Sequence, residues 1–173
     1  MASYKYDLKI PRERIGVLVG KKGEVKKAIE SATRTKMEVD SGEGDVVVCG
    51  EDAVVLYSAC EIVKAIGRGF NPDIAQLLLK QDYAFEVINI NDFAKTKNHF
   101  ARLKGRVIGE EGKARKFIED MTDSYVSVYG KTISIIGEVG KIHVARQAVE
   151  SLLLGNSHAN VYKWLEKQRK KLT

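Results

Sequence analysis

The sequence contains one glycine-rich pattern twice, and this repeat restricts the chain to folds with two similar halves. The first copy, at residues 15–23, reads IGVLVGKKG, and the second, at residues 104–112, reads KGRVIGEEG. Three glycine pairs align at an offset of 89 residues: Gly16 with Gly105, Gly20 with Gly109, and Gly23 with Gly112. The similarity continues downstream, where Ile29-Glu30 matches Ile118-Glu119. An internal repeat of this size indicates two similar domains rather than one larger fold.

The composition is that of a folded protein with a moderate basic excess. The chain has 173 residues, of which 44% are hydrophobic, and its formal net charge at pH 7 is +6. Residues 1–80 carry 13 Lys/Arg and 12 Asp/Glu, whereas residues 81–173 carry 16 and 11, so the excess lies in the second half. This bias is compatible with a nucleic-acid partner. The chain lacks a secretory signal and any run of about 18 apolar residues, so we expect a cytoplasmic protein with no membrane partner.

Hydrophobic periodicity predicts the same order of elements, β-α-α-β-β-α, in each half. The elements predicted for the first half are a strand at 4–10, a helix with Pro11 in its first turn, a helix after residue 23, strands at 35–40 and 46–49, and a helix at 52–66 capped by Gly67 and Gly69. Those predicted for the second half are a strand at 83–90, helices at 97–107 and from 114, a hairpin at 125–136, and helices at 139–154 and 158–171. We therefore predict an α+β fold with a first domain at 1–70, a linker helix at 71–82, and a second domain at 83–173 that includes an extra C-terminal helix.

In each half a Gly-x-x-Gly loop joins two predicted helices without spare residues. Glycine permits backbone angles that other residues avoid, and it lets a phosphate approach the main chain. The helix after the loop points its free N–H groups and the positive end of its dipole at that anion. The loops therefore predict clamps for the sugar-phosphate backbone of a single strand, with the bases over the adjoining apolar groove. A purely structural turn between two helices is the alternative.

Other kinds of site fit the sequence poorly. A P-loop needs Gly-x-x-x-x-Gly-Lys-Ser/Thr, but only three residues separate Gly16 from Gly20, and Lys22 occupies the position of the hydroxyl. The histidines are isolated, and Cys49 and Cys60 do not form a Cys-x-x-Cys pattern, so we expect no metal and no cofactor. The best carboxylate candidates for a metal-dependent nuclease are Glu119, Asp120 and Asp123 at a helix end, where solvated acids are common. We expect no catalytic residues.

The doubled loop in its β-α-α-β-β-α context resembles the KH family of RNA-binding domains in the type I arrangement, as two tandem copies over nearly the whole chain. Three further segments narrow the resemblance: AIGRGFNP at 65–72, YGKT at 129–132 and HANVYKWLE at 158–166. With them the chain resembles the archaeal counterpart of the partner-of-Nob (Krr/Dim-type) ribosome-assembly factors. The resemblance implies a non-catalytic factor that binds small-subunit rRNA, or its precursor, near the 3′ end during maturation. It also implies the Nob endonuclease, or other small-subunit assembly or translation factors, as partners.

The second copy differs from the first at the tip of the loop, where Glu110 and Glu111 replace two lysines and would repel a phosphate. The preceding segment, residues 95–106, contains five Lys or Arg residues and no acidic residue, and Arg102 and Arg106 share a helix face. We therefore expect the second copy to hold RNA through its helices and groove, although a solvated basic face is the alternative.

Together these arguments give one set of predicted RNA-binding residues. The set is Gly20, Lys21, Lys22, Gly23, Arg102, Lys104, Arg106, Gly109, Gly112, Lys113, Arg115 and Lys116. The alternative function is a protein-interaction scaffold, in which the amphipathic C-terminal helix around Trp164 and Leu165 docks a ribosome-assembly or translation partner.

Overall fold

The computed structural model describes residues 3–173, which divide after Gln81 into two compact units. The first unit contains β1 (Tyr4–Lys9), α1 (Arg12–Val19), α2 (Glu24–Thr33), β2 (Thr35–Asp40), β3 (Asp45–Gly50), α3 (Ala53–Gly67) and α4 (Pro72–Ala75). The second contains β4 (Tyr83–Asn89), α5 (Lys97–Ile108), α6 (Lys113–Thr122), β5 (Tyr125–Tyr129), β6 (Thr132–Glu138), α7 (Ile142–Leu153) and α8 (His158–Leu172). The predicted order of elements is confirmed in both units, as is the extra C-terminal helix. The segment predicted as a linker helix is the short α4 and a 3-10 turn, Gln76–Leu79, and both pack on α3.

Each unit has a three-stranded antiparallel sheet in which the last strand lies in the centre. The strand orders are β1-β3-β2 and β4-β6-β5. The hairpin of the second unit is the tighter one, because Tyr129 pairs with Thr132 and leaves only two residues in the turn. Its first turn residue, Gly130, has a φ of +55°, which is typical of a two-residue hairpin. In the first unit Asp40 pairs with Asp45, so four residues form the turn.

The helices of each unit cover one face of its sheet and form a small core there. Period-two alternation buries Val46 and Val48 on β3 completely, and a similar face of β6 buries Ile133 and Ile135. Within residues 3–173 no helix is both long enough and apolar enough to cross a bilayer.

The junction between the second helix and the second strand repeats one buried polar contact in both units. The hydroxyl of Thr33 donates to the carbonyl oxygen four residues earlier and lies 2.7 Å from the hydroxyl of Thr35. Thr122 and Ser124 have the same contacts in the second unit, with the same 2.7 Å distance between their hydroxyls. Because all four hydroxyls are buried and bonded, they fix the helix-to-strand turn in the same way twice.

The helix ends differ from the prediction at three places. Gly67 is the last residue of α3 and not its cap, and a Cβ built there would lie 2.6 Å from Cγ2 of the buried Ile10. The left-handed residue after this helix is Gly69, with a φ of +99°. Pro11 is the N-cap of α1, so it precedes the first turn. Helix α7 begins at Ile142 because the three residues before it form a turn.

Helix α8 packs on the second unit through apolar and polar contacts. Val161 and Leu165 are 3% and 0% exposed, and Trp164 packs against the same core. The ring of Tyr162 lies 4.3 Å from that of Phe117, measured between centroids. The protein's own core thus takes up Leu165, whereas Trp164 is only half-buried, so a partner-docking surface on this side of α8 stays a prediction.

The far end of α8 is held by an ion-pair cluster. Asp123 accepts hydrogen bonds of 2.7 Å from both Arg169 on α8 and Lys141 at the start of α7. These two hydrogen bonds lower the pKa of the Asp123 carboxyl below its ordinary value. Asp123 is also the residue after α6 and has a φ of +50°, so it links three helices.

Two helical glycines allow a matched test of the packing. We expect Gly67→Ala to lower the free energy of unfolding by about 1–3 kcal/mol, because its methyl group collides with Ile10. Gly105→Ala should raise it by about 0.5–1 kcal/mol, because within the described chain no atom outside its own helix backbone lies within 4 Å of that Cβ, and alanine favours helix. Denaturant unfolding of both variants measures the difference, and equal shifts would contradict the packing at Gly67.

The Asp123 cluster predicts a stability difference that depends on pH. Because folding lowers the pKa of Asp123, its stabilisation is complete above the unfolded pKa of about 3.9 and is lost as pH falls through the folded value. Asp123→Asn should therefore lower the melting temperature at pH 7 and have little effect at pH 2–3. Asparagine tolerates the left-handed backbone at this position, so the substitution tests charge alone. A deficit of the same size at both pH values would rule out the ion pairs as its cause.

Candidate nucleic-acid interface

The two glycine loops have the same backbone conformation although their tip residues differ. In the loop Gly20–Gly23, φ is +74°, +54° and +77° at the first, third and fourth residues. In the loop Gly109–Gly112 the corresponding angles are +76°, +56° and +76°. Each loop is one 3-10 turn directly between two helices, so the predicted loop geometry is confirmed in both copies.

Packing requires the first glycine of each loop. A Cβ built on Gly20 would lie 2.5 Å from Cγ2 of Val25. One built on Gly109 would lie 2.6 Å from both the Cβ and the backbone nitrogen of Ala114. A larger residue at either position would push the loop away from the helix that follows it.

The second glycine of each loop faces open space. Among the described residues, no atom lies within 4 Å of a Cβ built on Gly112, and the nearest atom at Gly23 is the end of the Lys27 side chain at 3.7 Å. Gly23 and Gly112 are the N-caps of α2 and α6, and neither helix has a side chain that caps its first N–H groups. The N–H of the first residue of each helix, Glu24 or Lys113, donates to the carbonyl oxygen of Lys21 or Glu110 in the loop. An anion such as a phosphate can therefore bind only those N–H groups of the first turn that lack such a backbone partner.

The charge at the two loop tips is opposite. Lys21 and Lys22 are exposed at the first tip, and Glu110 and Glu111 are exposed at the second. The first loop thus combines a helix N-terminus that no side chain caps with two cations, whereas the second combines such an N-terminus with two carboxylates.

The cations of α5 lie on two sides of that helix. Helical spacing places Lys97, Phe100 and Lys104 on one side, and the Lys104 ammonium lies 5.9 Å from the centre of the Phe100 ring. It places Arg102 and Arg106 together on the other side, as predicted, and both line a depression beside the end of α7. The basic segment at 95–106 is therefore not a single surface.

Arg106 has a structural role that the sequence analysis missed. Its Nε donates a 2.9 Å hydrogen bond to the carbonyl of Leu152, and its terminal nitrogen bonds to that of Asn156, so Arg106 caps the end of α7. Arg14 on α1 caps the end of α3 in the first unit, with bonds of 2.8 Å to the carbonyls of Ile66 and Phe70. No sequence signal shows this equivalence, because the two arginines are not aligned in the repeat.

Arg115 also takes part in an intramolecular contact, whereas Lys113 and Lys116 are exposed. Arg115 donates a 2.9 Å hydrogen bond to Glu119, whose other oxygen accepts a 2.8 Å bond from the backbone N–H of Val126 on β5. Burial raises the pKa of the Glu119 carboxyl.

The first unit has the same bridge from helix to strand, where Glu30 bonds to the N–H of Met37 at 2.8 Å and to Lys26. The alignment of Glu30 with Glu119 in the repeat was a signal for this structural role. Among residues 3–173, no three His, Cys, Asp or Glu side chains come close enough to hold a metal ion.

Two aromatic residues near the second loop were also missed, because only the fold brings them there. His158 and Tyr162 of α8 line a cleft with Gly109 and Lys113. The Nε2 atom of His158 lies 2.8 Å from the carbonyl oxygen of Arg106, which fixes the ring beside the end of α5.

Two family profiles match the chain, one in each unit. The profile of the KH domain matches residues 5–68. The profile of the second KH domain of PNO1, described as a eukaryotic-type KH domain of type I, matches residues 84–170.

Relatives and a solved structure extend this similarity over the whole chain. A KH domain-containing protein of Methanocaldococcus jannaschii is 51% identical over 169 residues, which are 95% of this chain and 74% of the relative. The pre-rRNA-processing protein PNO1 of Phaeosphaeria nodorum is 35% identical over 113 residues, which are 64% of this chain but only 43% of that protein. A chain in the crystal structure of the a/eIF2alpha–aDim2p–rRNA complex from Pyrococcus horikoshii superposes with a TM-score of 0.92 at 42% identity, and the match covers 98% of this chain and 96% of that one. The chain therefore belongs to the PNO1/Dim2-type family of proteins with two KH domains.

Proposed function

We propose that this protein is a non-catalytic factor that binds single-stranded rRNA, or its precursor, near the 3′ end of small-subunit rRNA and assists maturation of the small subunit. The observation that carries the proposal is the doubled loop, in which an open glycine precedes an uncapped helix N-terminus in both units. The names of the relatives support the assignment to rRNA, since one is a pre-rRNA-processing protein and the solved complex contains rRNA.

In the first copy we assign the phosphate contacts to the loop itself. Backbone N–H groups at the start of α2 supply directional hydrogen bonds, and Lys21 and Lys22 supply positive charge at the tip. Both lysines are exposed, so a phosphate can reach them without rearrangement of the core.

In the second copy we assign the cationic contacts to residues beside the loop. Glu110 and Glu111 disfavour a phosphate at the tip, whereas Arg102 and Lys113 line the cleft beside the loop. Lys104 offers a further cation on the other side of α5. Arg106 and Arg115 contribute charge to this region, although their side chains also hold α7 and Glu119.

The helix before each loop has an unusual feature that fits this function. Gly16 on α1 and Gly105 on α5 are exposed, and among the described residues no atom lies within 4 Å of a Cβ built on either. Glycine inside a helix costs roughly 1 kcal/mol relative to alanine. Because no packing contact explains this cost, we assign the two glycines to close approach of RNA.

Two of the three carboxylates that were candidates for nuclease chemistry, Glu119 and Asp123, are bonded within the fold. Glu119 holds β5, and Asp123 holds Lys141 and Arg169. This arrangement supports a binding role without catalysis. We also propose a protein partner from small-subunit assembly, such as the Nob endonuclease, or from translation, since the P. horikoshii complex contains a/eIF2alpha beside aDim2p.

Charge reversal tests the two copies separately. Lys21→Asp with Lys22→Asp, and Arg102→Glu with Lys104→Glu, should each weaken binding to a single-stranded oligonucleotide from the rRNA 3′ end by about tenfold or more. Each lost phosphate contact should also lower the slope of log K against log salt by about one unit or less. Fluorescence anisotropy over a salt series gives both quantities.

A matched control separates local contacts from net charge. Lys170→Glu with Lys171→Glu changes the net charge equally on an exposed part of α8, and it should have a much smaller effect. Unchanged binding by both test pairs at moderate salt would refute the proposed function. Cleavage of the oligonucleotide with added Mg²⁺ would refute its non-catalytic part.

The helical glycines provide a test in which stability and binding change in opposite directions. Gly16→Ala and Gly105→Ala should each stabilise the fold and yet weaken RNA binding several-fold, because a methyl group then stands where RNA approaches the helix. Melting temperature and affinity are measured on the same preparations. Full affinity in both variants would show that RNA does not approach these helices closely.

A further inference from the structure

The second unit contains a cleft of about 670 Å³ between its loop and α8. The cleft residues on which the inference rests are Arg102, Gly105, Gly109, Lys113, His158 and Tyr162. Because α8 follows the last KH helix of the second unit, the cleft is a feature of the second copy. It lies beside the loop and involves residues of α8 that the loop mechanism does not use.

Its aromatic wall is rigid. Tyr162 is held by its ring contact with Phe117 at 4.3 Å, and His158 by its contact with the Arg106 carbonyl at 2.8 Å. The centroids of the His158 and Tyr162 rings are 6.1 Å apart, and the angle between the ring planes is 71°. Rings that are already fixed lose little conformational entropy when a ligand stacks on them.

The rest of the cleft suits a phosphate beside a flat ring. Arg102 and Lys113 are exposed cations on its wall, and Gly105 exposes helix backbone without a side chain. Glu110 also lines the cleft, so an anion must sit nearer the two cations than the loop tip. Aromatic rings, cations and open glycine backbone together are typical of sites for unpaired nucleotides.

We propose that this cleft binds one nucleotide of the RNA, next to the stretch held at the second loop, with its base stacked on Tyr162 or His158 and its phosphate near Arg102 and Lys113. The inference rests on the proposed function, since it adds one nucleotide site to the same RNA path. In this site the phosphate lies beside the second loop and not at its tip, which is why the tip can carry two glutamates.

Coupling between one aromatic side chain and one base tests the site. A set of single-stranded oligonucleotides from the rRNA 3′ end, each with one abasic position, is titrated against the full chain. At one position along the RNA, removal of the base should weaken binding to the wild-type chain by about 5- to 100-fold, because stacking on an aromatic side chain contributes this much per base. Removal of the same base should have little effect on binding to Tyr162→Leu. Tyr162→Leu should bind the unmodified RNA as weakly as the wild type binds that abasic RNA.

Two further variants keep the test informative if Tyr162→Leu unfolds. His158→Gln keeps an N–H donor for the Arg106 carbonyl but removes the ring, and Arg102→Gln with Lys113→Gln removes the charge. Each should weaken binding of the unmodified RNA. In His158→Gln, the abasic position should also cause a smaller drop in affinity than it causes in the wild type. Tyr57→Leu, at a tyrosine of α3 that is 61% exposed, is the matched control and should bind normally.

The outcomes separate this inference from the proposed function. Normal RNA binding by the wild type with unchanged affinity in folded Tyr162→Leu and His158→Gln would overturn the nucleotide site alone. Equal losses for every abasic RNA would overturn it too, because no base would then be coupled to the ring. If a polyglutamate peptide displaced the RNA, and if Tyr162→Leu weakened binding of the peptide as much as binding of the RNA, the cleft would be a site for an acidic peptide instead. Failure of the wild type to bind RNA would remove both proposals.

Discussion

The contact between the first loop glycine and the next helix is the constraint on which the candidate site depends. At Gly20 and Gly109 the backbone passes so close to Val25 and Ala114 that a Cβ has no room. The following helix can therefore start directly after the loop, with its first N–H groups beside the open second glycine. In both copies the first loop glycine allows close packing against the next helix, and the second leaves the start of that helix open to a ligand.

The two copies preserve the scaffold and change the charge on it. The helix-to-strand bridge from Glu30 recurs at Glu119, and an arginine caps the third helix in both units, at Arg14 and Arg106. The loop tips, by contrast, carry two lysines in one copy and two glutamates in the other. The tip side chains point into solvent, so the backbone conformation does not depend on them. Their charge can therefore differ between the two copies without a change in the loop.

The extra helix of the second unit is accompanied by an exchange of charge at its anchoring point. Arg34 is the left-handed residue after α2, and its aligned counterpart after α6 is Asp123, with nearly equal φ values of +51° and +50°. Likewise Asp52, the N-cap of α3, aligns with Lys141 at the start of α7. Asp123 can therefore bind Lys141 and Arg169 together and hold α8 in place. This position of α8 brings His158 and Tyr162 next to the second loop, so the added helix extends the candidate interface.

The sequence by itself determined the two-fold repeat, the order of the elements and the glycine loops. These depend on local properties: hydrophobic periodicity, backbone freedom at glycine and turn length. The tertiary structure alone decided that Arg106 caps α7, that Arg115 supports Glu119, that the Trp164 side of α8 faces the core and that two aromatic rings stand beside the second loop. Those roles depend on partners distant in the chain, such as the Arg106 contact with Leu152, 46 residues away. Charge and spacing in a sequence do not show whether a cation is already bonded inside the fold.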